Sequence, residues 1–482
     1  MMTKPGTHPL APTAPSHLPA APTALLAAPY RPFFLAAIVI GLTIGATAGV
    51  WLLFQVRTQW SFTAVPIHPI NAHGQAQLFG WLGLFIMGLG YQLLPVLWRS
   101  ALPWPRLALL VLALMVIGLL MRAAGMGFLE GAPVMVWVAL AGGLMQSAAI
   151  AIFVVQMVLT LRRGHSRLEP WAGFIVAALG LMFVQAVFST WHTWNTMTAP
   201  TRELMLSLLA TWQAPLRDVQ LRGMALLMLL GVSMWLLPAM FGQRPVSRRR
   251  GWAALLVLLS ALAVSVTAFV GWRLTGARSG TGLLYLSWIA MIVGVCLVAL
   301  PWRLWRPMPV ADRSGKFIRA AYGWLAVSLL MLLALPVYQA MADTGFSHAY
   351  YGAIRHAITV GFISMMLMGL GAKLVPLWRG VEPHGLSPLW GPFILINLGC
   401  LLRISMQTAS DFVPAAFAII GFSGVLEMAA LGWWGSHLAY LMLHPRYSTA
   451  GVNARPCAAQ HRSPLSSGDW PSPAAPYGPA GG

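Results

Sequence analysis

His73-Gly74-Gln75-Ala76-Gln77-Leu78-Phe79-Gly80-Trp81-Leu82-Gly83-Leu84-Phe85-Ile86-Met87-Gly88-Leu89-Gly90-Tyr91-Gln92-Leu93-Leu94-Pro95-Val96-Leu97 contains no Asp, Glu, Lys or Arg. Wound as an α-helix at ~1.5 Å per residue, such a run outlasts the ~30 Å hydrocarbon core of a bilayer. A polar group in hydrocarbon is costly, so the histidine at its head is a functional hypothesis by default. Eleven more apolar runs lie around it, at 33–54, 107–124, 133–161, 171–193, 219–241, 252–272, 281–300, 319–341, 356–378, 387–404 and 413–443. The expected fold is therefore all-α and integral to the membrane, with twelve transmembrane helices.

Composition excludes the soluble alternative. Hydrophobic residues make up 58% of the 482 and charged residues 8%, where soluble domains carry roughly 25% charged. Mean hydropathy is +0.73. The net charge of +20 raises nucleic-acid binding, which the distribution of charge argues against. With the N-terminus inside, alternate connections hold 21 Lys and Arg on the inner side. The outer side holds nine: Arg57, Arg122, Arg202, Arg217, Arg222, Arg273, Arg278, Arg355 and Arg403. That bias follows the positive-inside rule and predicts both termini in the cytoplasm. Residues 1–29 and 445–482, rich in Pro, Ala, Ser and Thr, read as disordered tails flanking a twelve-helix domain at 30–444. Thr201–Ala214 reads as an interfacial helix on the outer face. Cys296, Cys400 and Cys457 show no metal spacing and imply no disulfide framework.

The chain also repeats itself. Leu93-Leu94-Pro95 ends the second run, Leu236-Leu237-Pro238 the sixth and Leu374-Val375-Pro376 the tenth. The prolines are 143 and 138 residues apart, four helices each time, and Met-Gly-Leu-Gly recurs at 87–90 and 368–371. Equal spacing predicts three four-helix units in pseudo-threefold arrangement.

Five of the twelve histidines fall on the outer side: His68, His73, His192, His348 and His356. His73 and His356 open the second and tenth helices, about 33 and about 30 Å above their prolines at 1.5 Å per residue. Two imidazoles at one depth, in equivalent positions of the first and third units, suit a six-coordinate haem held edge-on between helices. The alternative for either alone is a histidine hydrogen-bonded at the interface. His192, between Trp191 and Trp194, reads as a residue of the interfacial aromatic belt. His68 and His348 read as loop residues that, with His192, make a candidate copper site, since imidazole suits copper.

Two families share these features. His73-Gly74, Phe79, Met87-Gly88-Leu89-Gly90 and Pro95 resemble the second helix of haem-copper oxidase subunit I. His356, Met368-Gly369 and Pro376 resemble its tenth. The resemblance implies His73 and His356 as axial ligands of a low-spin haem. This chain departs from that family at its catalytic-haem position, which is Ile354, and has no histidine between 219 and 272 to bind copper. Over most of its length the chain is similar to the NnrS family of nitric-oxide-response membrane proteins. The matching stretches, in order, are Arg31-Pro32-Phe33-Phe34-Leu35, Leu78-Phe79-Gly80, Pro238-Ala239-Met240-Phe241, Ala321-Tyr322-Gly323-Trp324-Leu325 and His356-Ala357-Ile358-Thr359-Val360-Gly361. It departs at Gln75 and Ala76, where that family has a second histidine and an acidic neighbour, and at Pro376-Leu377-Trp378-Arg379-Gly380.

This resemblance implies a multi-pass inner-membrane protein that holds haem b, with copper as a second candidate cofactor, and serves nitric oxide tolerance or denitrification. Its implied partners are the bilayer, haem, nitric oxide and an electron-transfer partner, and no nucleic acid. The metal-binding candidates are His73, His356, His192 and His348. Competing classes are a transporter without a cofactor and a quinol-linked nitric oxide reductase. The first lacks an acid–base pair inside the helices, where Glu427 stands alone. The second lacks its metal ligands on the sixth and seventh helices. No catalytic residue is assigned.

Overall fold

The computed structural model describes residues 28–128, 132–164, 168–277, 279–382 and 385–444. The expected disordered tails lie outside these, apart from residues 28–29, as do His165, Arg278 and His384. Twelve helices are long and apolar enough to cross a membrane: α1 Tyr30–Gln59, α2 Ile67–Leu97, α3 Leu107–Gly127, α4 Pro133–Arg163, α5 Pro170–Met197, α6 Arg202–Met240, α7 Arg248–Thr275, α8 Ser279–Trp302, α9 Gly315–Leu333, α10 His348–Arg379, α11 Trp390–Ala409 and α12 Ala416–Leu443. Each contains or overlaps one of the apolar runs, and the described residues form no strand. This is a multi-pass membrane protein.

Burial separates the helices into two shells. The most apolar 18-residue windows of α2, α6 and α10 are 72%, 89% and 83% buried, against 33–56% for the other nine. Three central helices, four apart in sequence, are therefore walled from lipid by nine others. The central helices α2 and α10 pack against α1 and α12 of this wall largely through aromatic rings. Phe34 of α1 lies 4.3 Å from Phe85 of α2, and Trp81 of α2 lies 5.8 Å from Trp434 of α12. The Trp434 indole donates to the Met368 carbonyl of α10 at 3.2 Å.

The threefold repeat extends to the backbone. Each central helix widens into a π-helical stretch, Ala76–Gly83 in α2, Val219–Ala225 in α6 and Ala357–Ser364 in α10. Each stretch begins nineteen residues before its proline, Pro95, Pro238 or Pro376. Such widened turns are rare in helices and concentrate at functional sites.

Several expectations about helix ends are corrected. Thr201–Ala214 is no separate interfacial helix. Thr201 accepts from the Leu204 amide as an N-cap, and the helix runs from there through Pro215 into the body of α6. Gln213, Arg217, Asp218 and Gln220 break the apolar pattern because they bond to other helices. Likewise α2 and α10 begin at Ile67 and His348, so His73 and His356 lie inside helices and do not open them. His68 and His348 occupy first turns, not loops. The eight described arginines of the outer set also lie in helices, so no described Lys or Arg remains in an outer connection.

Candidate functional site

His73 projects from α2 toward α1. Its Nδ1 lies 2.8 Å from the carbonyl oxygen of Gly45, inside a further π-helical stretch, Gly41–Thr47. A carbonyl only accepts, so Nδ1 carries the proton and Nε2 keeps its lone pair. Gly49, one turn on, makes this approach possible, because a Cβ there would stand 2.6 Å from the imidazole Cε1. His356 projects from α10 toward α12, with Nε2 2.7 Å from Glu427 Oε1. Gly399 of α11 leaves room for that carboxylate, since its Cβ would fall 2.7 Å from Glu427 Cγ. His356, Arg403 and Arg217 all lie within electrostatic reach of the His73 ring.

The sequence suggested equivalent positions for the two histidines in their units, but they differ in register by two residues. His73 precedes its π-helical stretch by three residues and His356 by one. The counterparts of His73 are Leu216 and Ile354, and those of His356 are Gln75 and Asp218. Threefold geometry accounts for the offset. A group lying between two helices of a threefold set meets different faces of each, so side chains facing it come from different registers.

His192 is corrected from an interfacial residue to a buried one, 3% exposed, with Arg217, Arg122 and His68 within electrostatic reach. His348 lies elsewhere, edge-on to Phe346 at 4.8 Å and near Arg355 and Asp411. Among the described residues no three His, Cys, Asp or Glu side chains form a group that could hold a metal ion. His73, His356, His192 and His348 thus do not converge on one centre.

The sequence reading missed the polar network beside the histidines. Arg122 and Arg217, counted there as loop charges, anchor hydrogen-bonded chains among α2, α3, α4, α5 and α6. Their signal was the recurrence of Gln and Arg at the outer ends of several runs, which charge counting treats as topology.

Whether the residues fit a haem can be asked of the histidines themselves. Each imidazole engages an acceptor through one nitrogen, Gly45 O for His73 and the Glu427 carboxylate for His356, and keeps the other. Metal-bound histidines are oriented in this way, the second nitrogen held by a carbonyl or a carboxylate. The donor set fits.

No family profile matches the chain, and no curated protein matches it in sequence. Among solved structures, the chain is similar to a haem-copper terminal oxidase determined as a dimer by cryo-EM. The TM-score is 0.60 at 13% identity, over 86% of this chain and 84% of that one. The fold is shared; at that identity the likeness shows nothing further.

Proposed function

We propose that this chain is a haem-binding membrane protein of the NnrS kind, with His73 and His356 as the axial ligands of a haem b. The observation that carries the proposal is the placement of both histidines on central helices, each with one nitrogen tied to an acceptor and the other left over. A bound haem would supply one-electron chemistry, which axial ligation and its surroundings tune. The residues around it have separable tasks. Gly45 fixes the tautomer of His73, Gly49 admits its ring, and Glu427 Oε1 holds His356 through Nε2. Two histidines leave no open position on the iron, so the reading favours electron transfer or sensing in nitrogen-oxide tolerance over turnover of gas. Copper is not proposed at His192, because the two arginines beside it oppose a second cation.

The test is a haem and copper determination on purified full-length protein with a reduced-minus-oxidised spectrum. One low-spin haem b per chain is expected. Protein purified from haem-replete cells with no haem absorbance would end the proposal.

We place the protein in the inner membrane with both termini cytoplasmic, because its described outer connections carry no Lys or Arg. A reporter fused after Leu443 should therefore read cytoplasm, and one inserted at Thr201 periplasm. The reverse pattern would invert the assignment.

A further inference from the structure

We propose that the outer ends of α2 to α6 form a binding site for an anionic oxygen group, built around Arg122, Arg217 and the donors they orient. Arg122 is 1% exposed and bonds only neutral partners. Its Nη1 donates to Gln146 Oε1 at 3.1 Å. Its Nη2 donates to the Ser189 carbonyl at 2.8 Å, to Ser189 Oγ at 2.9 Å and to Thr193 Oγ1 at 2.6 Å. Arg217 donates to Asn71 Oδ1 and Gln220 Oε1, both at 2.8 Å. Among the described residues no carboxylate bonds either arginine; Asp218 instead faces Arg222 and Ser265. A buried guanidinium without a counter-charge, as at Arg122, is strongly disfavoured unless something anionic joins it, and the half-buried Arg217 adds a second unpaired cation beside it.

The hydrogen-bond polarity points the same way. Amide orientation is ordinarily an assignment, but here the arginines decide it, because guanidinium only donates. Arg122 must meet the oxygen of Gln146, which turns that residue's NH2 outward. Arg217 must meet the oxygen of Gln220, whose NH2 then donates to Gln185 Oε1 at 3.0 Å and turns the NH2 of Gln185 outward. Both NH2 groups are buried and unpartnered, as are Arg122 Nε and His192 Nε2. Gln146 and Gln185 are 0% exposed and His192 is 3% exposed. Two chains start at a cation and end in an unused donor, whereas the one from Arg217 through Asn71 Oδ1 to Gln213 ends in the amide oxygen of Gln213. Two unpartnered acceptors, Gln213 Oε1 and Gln75 Oε1, stand against this set, and the second is open to reversal. Its amide donates to Ser189 Oγ at 2.6 Å; turned over, it would accept the Ser189 proton and present a further NH2. An excess of buried donors around two cations is complementary to an oxyanion or carboxylate, whose planar face matches the guanidinium fork.

The group has two possible sources, a small free oxyanion or the carboxylate of a haem held nearby. The inference does not depend on haem, since it rests on the network alone. The probe is nitrate, planar, monovalent and a poor ligand for iron, titrated into full-length protein and followed by calorimetry and thermal unfolding. Saturable binding with a rise in melting temperature is expected, weakened at least tenfold in Arg122→Gln. Gln185→Glu keeps both arginines and the acceptor for Gln220 Nε2 but replaces one unused donor with a carboxylate oxygen, so it should fold as well as the parent and bind nitrate more weakly. Binding by both the parent and His73→Ala assigns the site to a free oxyanion. Binding by His73→Ala alone assigns it to a carboxylate of the haem, which then occupies the site in the parent. No saturable binding by either protein, or binding that neither Arg122→Gln nor Gln185→Glu weakens, overturns the proposal.

Discussion

Replacing His73 or His356 with alanine is expected to remove stoichiometric haem from the purified protein, whereas His192→Ala should retain most of it. The asymmetry follows from position. His73 and His356 each hold one nitrogen against an acceptor and keep the other for a ligand, while His192 sits among arginines. A bis-imidazole site that loses one ligand becomes high-spin or loses its haem, because axial ligands are among the protein's main controls on the iron. Alanine is the best helix former, so both variants should still insert, and haem loss will not merely report misfolding. The check is a pyridine haemochrome determination with an optical spectrum. Two alanine variants that keep a full low-spin spectrum would falsify the ligand assignment.

Gly49→Ala should lower haem content about as far as removing a ligand, although it touches no iron. An alanine Cβ there meets His73 Cε1 at 2.6 Å, Nδ1 at 3.0 Å and Nε2 at 3.4 Å. Either the ring swings away and gives up its bond to Gly45, or the helices part. Overpacking of this kind costs about 1–3 kcal/mol, and a lost hydrogen bond adds about 0.5–1.5 kcal/mol. Together these weaken retention of a haem by about ten- to a thousandfold, at ~1.4 kcal/mol per tenfold. Helix propensity moves the other way, since alanine is favoured over glycine by about 0.8–1 kcal/mol in a helix interior. A variant that inserts normally and has lost its haem therefore isolates the approach of Gly49 to His73. Full haem content in Gly49→Ala would show that His73 does not need this position.

The membrane fold was legible because hydrocarbon imposes its own length scale, and 73–97 already exceeds it without a charge. The threefold plan was legible from Pro95, Pro238 and Pro376. Helix ends were less so. Polarity at Gln213, Arg217 and Asp218 looks the same in sequence whether it faces water or is spent on buried partners, so α6 appeared too short. His192 appeared interfacial for the same reason, its flanking tryptophans masking the arginines brought against it by α3 and α6. Glu427 stood out as a lone acid, but only tertiary structure could pair it with a histidine 71 residues away.

The π-helical stretches of the three central helices bear on descent. They stand at one distance from their prolines, although the residue three places before each is His73, Leu216 or Ile354. A backbone irregularity shared by three units whose side chains there differ is what a tripled ancestral segment would leave behind. On that account the wide turn is older than the histidines. Duplication carried it to three places, and later substitution set an imidazole near it in two of them and left Arg217 and Asp218 beside it in the third. Distant kin of this chain are then better sought with one unit, 138 to 143 residues from proline to proline, than with all twelve helices together.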